Sequence, residues 1–190
     1  MRFDELTNRL QDLRGENIAV IAPYKSQISL LTRMLTKDAN LRAHFNTVLG
    51  PDRAIEIANV EVKTVDGFEG REKDAIIFST VRNNADGYIG FLADRRRLNV
   101  GLTRAKRALF VIGNMSTLEK GKYRRSSNDD DLGLGPESSK SNKGAVAWQN
   151  YAQYLTEQNL VLHLRGDSLQ KVLQPYLNAQ PNVVHAAYRY

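Results

Sequence analysis

Three short stretches concentrate the side chains that could bind or turn over a charged ligand. The stretch VKTVDGFEGREKDAIIFSTVR, residues 62–82, places Gly67, Gly70, Asp66, Glu69, Glu72 and Arg71 between two apolar runs. Glycines let backbone approach a ligand or adopt positive φ, and carboxylates accept hydrogen bonds from hydroxyls such as those of a ribose. Arg71 and Lys73 offer charge to phosphate. A second stretch, APYKSQ at 22–27, ends one apolar run and opens a helix, so its backbone N–H groups and the Gln27 amide could meet an anion. The third, RRRLNVGLTRAKR at 95–107, spaces Arg97, Gly101 and Arg104 at i, i+4 and i+7, a ridge beside the apolar stripe of a helix. An arginine there keeps its charge and can bond two phosphate oxygens at once.

The elements that must position these residues follow from hydrophobic period. NIAVIA (17–22) reads as a buried strand, and Ile28, Leu31 and Leu35 after it fall at helical spacing. VEVKTV and DAIIFSTV are further strands, the second apolar on both faces as in a covered parallel sheet. Leu98, Leu102 and Ala105 mark a helix, and ALFVIGN a strand. Strands alternating with helices predict an α/β fold: a mostly parallel sheet with helices on both faces. In such sheets ligands gather outside the carboxyl ends of the strands, and all three charged stretches are expected there.

Residues 1–122 read as the core of the lobe. Residues 123–144 are rich in Ser, Gly, Asp and Lys and predict a disordered insertion, and 145–190 a helical segment that completes or flanks the lobe. In that segment Trp148, Tyr151, Ala152 and Leu155 share a face that reads as core packing. LVLHL (160–164) is a strand or a continuation of the helix, and 181–190 a frayed tail.

Composition narrows the class. The 190 residues include 42% hydrophobic and 25% charged side chains, enough for one globular domain with a substantial core. No cysteine is present and the three histidines are scattered, which argues against a disulfide framework, a thiolate metal site or a histidine metal site. No apolar run approaches the roughly 20 residues of a membrane span, and Met1–Leu10 has no signal-peptide pattern. The expectation is an intracellular protein, the nucleus favoured over the cytoplasm. A net charge of +6 suits a polyanionic partner. No G-x-x-x-x-G-K-[ST] occurs, so a triphosphate would need a second lobe to cradle it.

In order and spacing, IAVIAPYKSQISLL, VKTVDGFEGREKD and IGFLADRRRLNVGLTRAKRALFVIGN resemble motifs IV, V and VI of superfamily 1 helicases. The branch is the one containing the nonsense-decay helicase and senataxin, and the resembling part is the second, C-terminal RecA-like domain. The match covers about residues 16–120. It implies a P-loop-NTPase-like lobe without its own Walker A, and a motor that moves 5′ to 3′ along single-stranded RNA or DNA. ATP with Mg would lie between this lobe and an N-terminal RecA-like lobe. By the same resemblance Arg104 is the arginine finger and Arg97 a second contact in the cleft. Gly70, Arg71 and Glu72 face the nucleotide. Pro23, Tyr24, Thr64 and Asp66, with Gln27 beside them, follow the nucleic acid. The chain itself supplies no metal ligand. The family usually has Gln where Glu69 stands, exchanging an amide that donates and accepts for a carboxylate that only accepts.

Two other readings compete. A non-catalytic RNA- or DNA-binding module could use the same basic surfaces. A Mg-dependent nuclease of PD-(D/E)xK type would take Pro51-Asp52 with Glu61 and Lys63, two carboxylates for the metal and a lysine for the attacking water. A lipid-surface role is disfavoured, because no basic segment carries a bulky exposed apolar face.

Overall fold

The structure is a computed structural model that describes residues 12–123 and 138–163. Four strands, β1 (Ile18–Ala22), β2 (Glu61–Thr64), β3 (Lys73–Ser79) and β4 (Ala105–Ile112), form one sheet in the order β2-β1-β3-β4. Every pairing is parallel. The helices are α1 (Lys25–Lys37), α2 (Ala39–Leu49), α3 (Pro51–Ala54), α4 (Arg95–Thr103), α5 (Met115–Lys120) and α6 (Ser138–Glu157). This is the α/β layered arrangement that the alternation of strands and helices predicts, and it agrees with the RecA-like fold that the helicase resemblance implies.

The chain leaves β1 through α1–α3 to reach β2 on one side, and leaves β3 through α4 to reach β4 on the other. Right-handed crossovers in opposite directions put their helices on opposite faces of the sheet. The larger core lies on the α4 face, where Ile21, Ile76 and Phe78 of the sheet meet Leu98 of α4, Leu118 of α5 and Trp148 of α6. Strand periodicity leaves the alternate residues, Ile18, Ala75, Ala108 and Phe110, to form a smaller cluster with Leu13.

Helix starts are fixed by short polar side chains. Asp94 caps α4 by accepting from Arg96 N at 2.8 Å, and Asn114 caps α5 by accepting from Thr117 N at 2.9 Å. Helix α6 begins at Ser138, so residues 138–144, expected to be disordered, are helical. Trp148 explains the docking of that helix: its ring is fully buried, tilted against Phe78 at 5.8 Å, and its Nε1 donates to Leu92 O at 2.8 Å. Ala145, Trp148 and Ala152 of this helix are therefore part of the core. Residues 160–163 form no strand, and the expectations for 124–137 and 164–190 fall outside the described residues.

Candidate nucleotide and nucleic-acid interface

Because all four strands run the same way, their ends define two distinct edges. Pro23 and Tyr24 follow β1, Thr64 to Asp66 end β2, and Arg82 follows β3, all at the carboxyl edge. Gly70, Arg71 and Glu72 precede β3, and Arg104 precedes β4, at the amino edge. There Lys73 pairs with Ala105, and Lys73 N donates to Arg104 O at 3.1 Å. The sequence expectation put all three charged stretches at the carboxyl edge; the structure corrects it. The reason is topological. The β2–β3 connection must return the length of the sheet while crossing β1, and it does so by burying Val65 and Phe68 in the main core. Helix α4 likewise starts at the carboxyl edge and delivers Arg104 to the amino edge, seven residues or about 10 Å of helix beyond Arg97.

At the carboxyl edge, side chains stack in a continuous series. The Arg82 guanidinium lies 5.2 Å from the Tyr24 ring centre, and its Nε donates to the Tyr24 hydroxyl at 2.6 Å. Tyr24 meets Phe91 edge-on at 5.3 Å, and Arg97 lies 5.0 Å from the other ring of that pair, Phe91. Arg97 closes the series on Asp66, with Nε to Oδ1 at 2.8 Å and Nη2 to Oδ2 at 3.0 Å. These bonds hold the Arg97 guanidinium above its ordinary pKa, outweighing the burial that opposes them. Thr64 Oγ1 accepts from Gly67 N at 3.0 Å and so shapes the turn that carries Asp66. Gln27 sits half-buried in the first turn of α1.

At the amino edge the charges are mostly paired. Arg71 Nη1 donates to Glu61 Oε1 at 2.6 Å, Lys73 Nζ lies 3.5 Å from Glu61 Oε2, and Lys106 Nζ reaches Glu72 Oε1 at 2.8 Å. The last bond raises the Lys106 pKa. Arg104 differs. It caps the carboxyl end of α4 with φ −96° and ψ −4°, is half-buried, and its Nε is buried without a hydrogen-bond partner among the described residues. Arg97 Nη1, at the opposite edge, is likewise buried without a hydrogen-bond partner among the described residues; such a donor is costly, and an acceptor from outside the lobe would relieve it. Gly70, at φ +76° with open space where a Cβ would stand, leaves its backbone accessible at the amino edge.

Two members of the carboxyl-edge series, Arg82 and Phe91, were not singled out from the sequence. The available signal for Arg82 was its position as the first charged residue after a strand buried on both faces. Phe91 had none beyond its aromatic character. The nuclease reading is disfavoured by the partners of its residues: the Glu61 carboxylate is neutralised by Arg71 and Lys73, and Asp52 is exposed in the short helix α3.

Residues 2–116, more than half of the chain, match a family described as an AAA domain. Helicase sen1 of Schizosaccharomyces pombe is 42% identical over 68% of the chain. The chain belongs to the superfamily 1B helicases, as a C-terminal RecA-like region. Further relatives include ATP-dependent helicase NAM7 of Saccharomyces cerevisiae, 44% identical over 57% of the chain, and DNA polymerase alpha-associated DNA helicase A of the same yeast, 38% identical over 58%. The superfamily 1B region described here spans 7%, 10% and 15% of these three relatives' lengths. Among the described residues no helix is long and apolar enough to cross a membrane.

Proposed function

We propose that this chain is the C-terminal motor lobe of an ATP-dependent helicase, contributing the arginine finger from its amino edge and part of the nucleic-acid track from its carboxyl edge. The observation that carries the reading is Arg104: a half-buried guanidinium with an unpartnered buried Nε among the described residues, at the same amino edge as the open Gly70 backbone. That arrangement suits a phosphate offered from outside the lobe, which here means ATP with Mg held by an N-terminal RecA-like lobe. Bound ATP supplies the phosphoryl-transfer chemistry; Arg104 supplies fixed positive charge where negative charge develops. Glu72 is placed to accept from a ribose hydroxyl once Lys106 yields it, and Arg71 to reach phosphate once Glu61 yields it.

The carboxyl edge meets single-stranded RNA or DNA through Pro23, Tyr24, Thr64 and Gln27. Asp66 serves the track indirectly, since an acceptor-only carboxylate repels phosphate and its oxygens are engaged by Arg97. Arg97 therefore belongs with the nucleic-acid edge more than with the nucleotide. The two edges are joined by α4, so a shift of the strand at Asp66–Arg97 is felt at Arg104 by one rigid element.

The test is strand displacement by the full-length protein on duplexes with a 5′ or a 3′ single-stranded overhang. ATP-dependent displacement restricted to the 5′ overhang is expected. Binding to the overhangs with neither displacement nor ATP hydrolysis would instead favour the non-catalytic binding module.

A further inference from the structure

Strand order β2-β1-β3-β4 has one point where successive connections depart in opposite directions, between β1 and β3. In open parallel sheets the crevice at the carboxyl ends of such a strand pair is the standing ligand site. The residues that follow these two strands are Pro23 and Tyr24 after β1, and Thr80, Val81 and Arg82 after β3. Tyr24 is already part of the proposed track. Arg82 is not.

The backbone that carries Arg82 is strained. Arg82 N donates to Thr80 O at 2.7 Å, closing a three-residue turn, and the central residue is Val81 at φ +64°. That hand of the turn is rare, and a β-branched residue at positive φ is a genuine outlier. Both flanks over-determine it. Thr80 is fully buried with its N donating to Ile112 O at 2.9 Å, and Arg82 is clamped on three sides. Its Nε is bonded to Tyr24, its guanidinium covers the Tyr24 ring, and its Nη2 lies where a side chain on Gly90 would otherwise stand, 2.4 Å from the Cβ position. Its Nη groups form no hydrogen bond among the described residues. Strain held in place by surrounding structure is a pointer to function, and here its product is a guanidinium aimed across the switch point with one edge committed and the other available.

We infer that Arg82 is a direct contact to the phosphodiester backbone of the bound single strand, with Tyr24 as its brace. The inference rests on the nucleic-acid half of the proposed function. A planar guanidinium fixed by Nε and presenting its Nη donors is preorganised for phosphate, and its grip is indifferent to base or sugar, so RNA and DNA are both accepted through it.

The test uses the full-length protein and fluorescence anisotropy with labelled oligo-U and oligo-dT over a series of salt concentrations. Each phosphate contact on a single strand contributes about 0.7 to the slope of log affinity against log salt. Arg82→Ala is expected to weaken binding about 10-fold or more and to lower the slope by about 0.7 on both strands. Arg82→Gln, which keeps the stem and loses the charge, lowers the slope equally and guards against a folding defect in the alanine form. Arg82→Lys and Tyr24→Phe retain the slope, since charge is kept in both. Weakened binding with an unchanged slope in Arg82→Ala and Arg82→Gln would reduce Arg82 to a brace for Tyr24 and overturn the inference. Wild-type protein that fails to bind either strand would overturn it together with the proposed nucleic-acid track.

Discussion

Asp66 and Arg97 meet fork to fork, Nε on Oδ1 at 2.8 Å and Nη2 on Oδ2 at 3.0 Å, across 31 residues of sequence. The bond ties the turn after β2 to the first turn of α4. It therefore links the edge proposed to touch nucleic acid to the helix that ends in Arg104. Asp66 is largely exposed, so the pair adds little to stability; its effect is geometric. In the full-length protein Asp66→Asn is expected to shift Tm by less than about 4 °C while reducing the stimulation of ATP hydrolysis by single-stranded nucleic acid. The unstimulated rate stays near wild type. Calorimetry beside a stimulated-rate assay checks this; full stimulation in the variant would show that the pair transmits nothing.

Glu69 stands where the family usually has Gln, and it is exposed beside the open Gly70. A carboxylate near a polyanion opposes it, and an amide does not. At the amino edge proposed to meet ATP, itself a polyanion, Glu69→Gln is expected to be tolerated or to lower the KM for ATP, measured by steady-state hydrolysis in the full-length protein. Strong inactivation would assign the carboxylate a specific task.

Gly144 lies within α6, where alanine ordinarily favours a helix by about 1 kcal/mol. Here a Cβ would stand 1.7 Å from Ala93 O and 2.5 Å from Ala93 C, both backbone atoms that cannot swing aside. The wedge would lift α6 from the turn to which Trp148 is bonded through Leu92 O. Gly144→Ala is expected to destabilise by about 1–3 kcal/mol, read as a lower denaturant midpoint. A raised midpoint would mean that α6 does not dock as described.

Much of the fold was legible because local signals agreed. The two-sided apolar run Ala75–Phe78 announced a covered strand, and the spacing of Trp148 and Ala152 announced a buried helix face; Ala75, Ile76, Phe78, Trp148 and Ala152 are buried as read, and Ile77 is half-buried. The start of α6 was not legible, since 138–144 is polar and shows no apolar period. The edges were misassigned for a different reason. Spacing tells which residues neighbour each other along the chain, but not that the β2–β3 connection runs back across β1 and carries Gly70, Arg71 and Glu72 away from Thr64 and Asp66. The Asp66–Arg97 pair and the Arg82–Tyr24 bond join residues 31 and 58 apart, and Val81 gives no hint in its type that it adopts positive φ. Long-range pairing and backbone strain are properties of the closed structure.

The central claim concerns Arg104, whose Nε is buried and unpartnered among the described residues at the edge proposed to meet ATP. The most direct measurement is steady-state ATP hydrolysis by the full-length protein and its Arg104→Ala form, with and without single-stranded RNA or DNA, alongside the nucleic-acid Kd of each. The account predicts stimulated hydrolysis in the parent, a loss of roughly 10³-fold or more in the variant, and a Kd changed little. Hydrolysis unaffected by the substitution, or an equal loss of hydrolysis and of nucleic-acid binding, would contradict it.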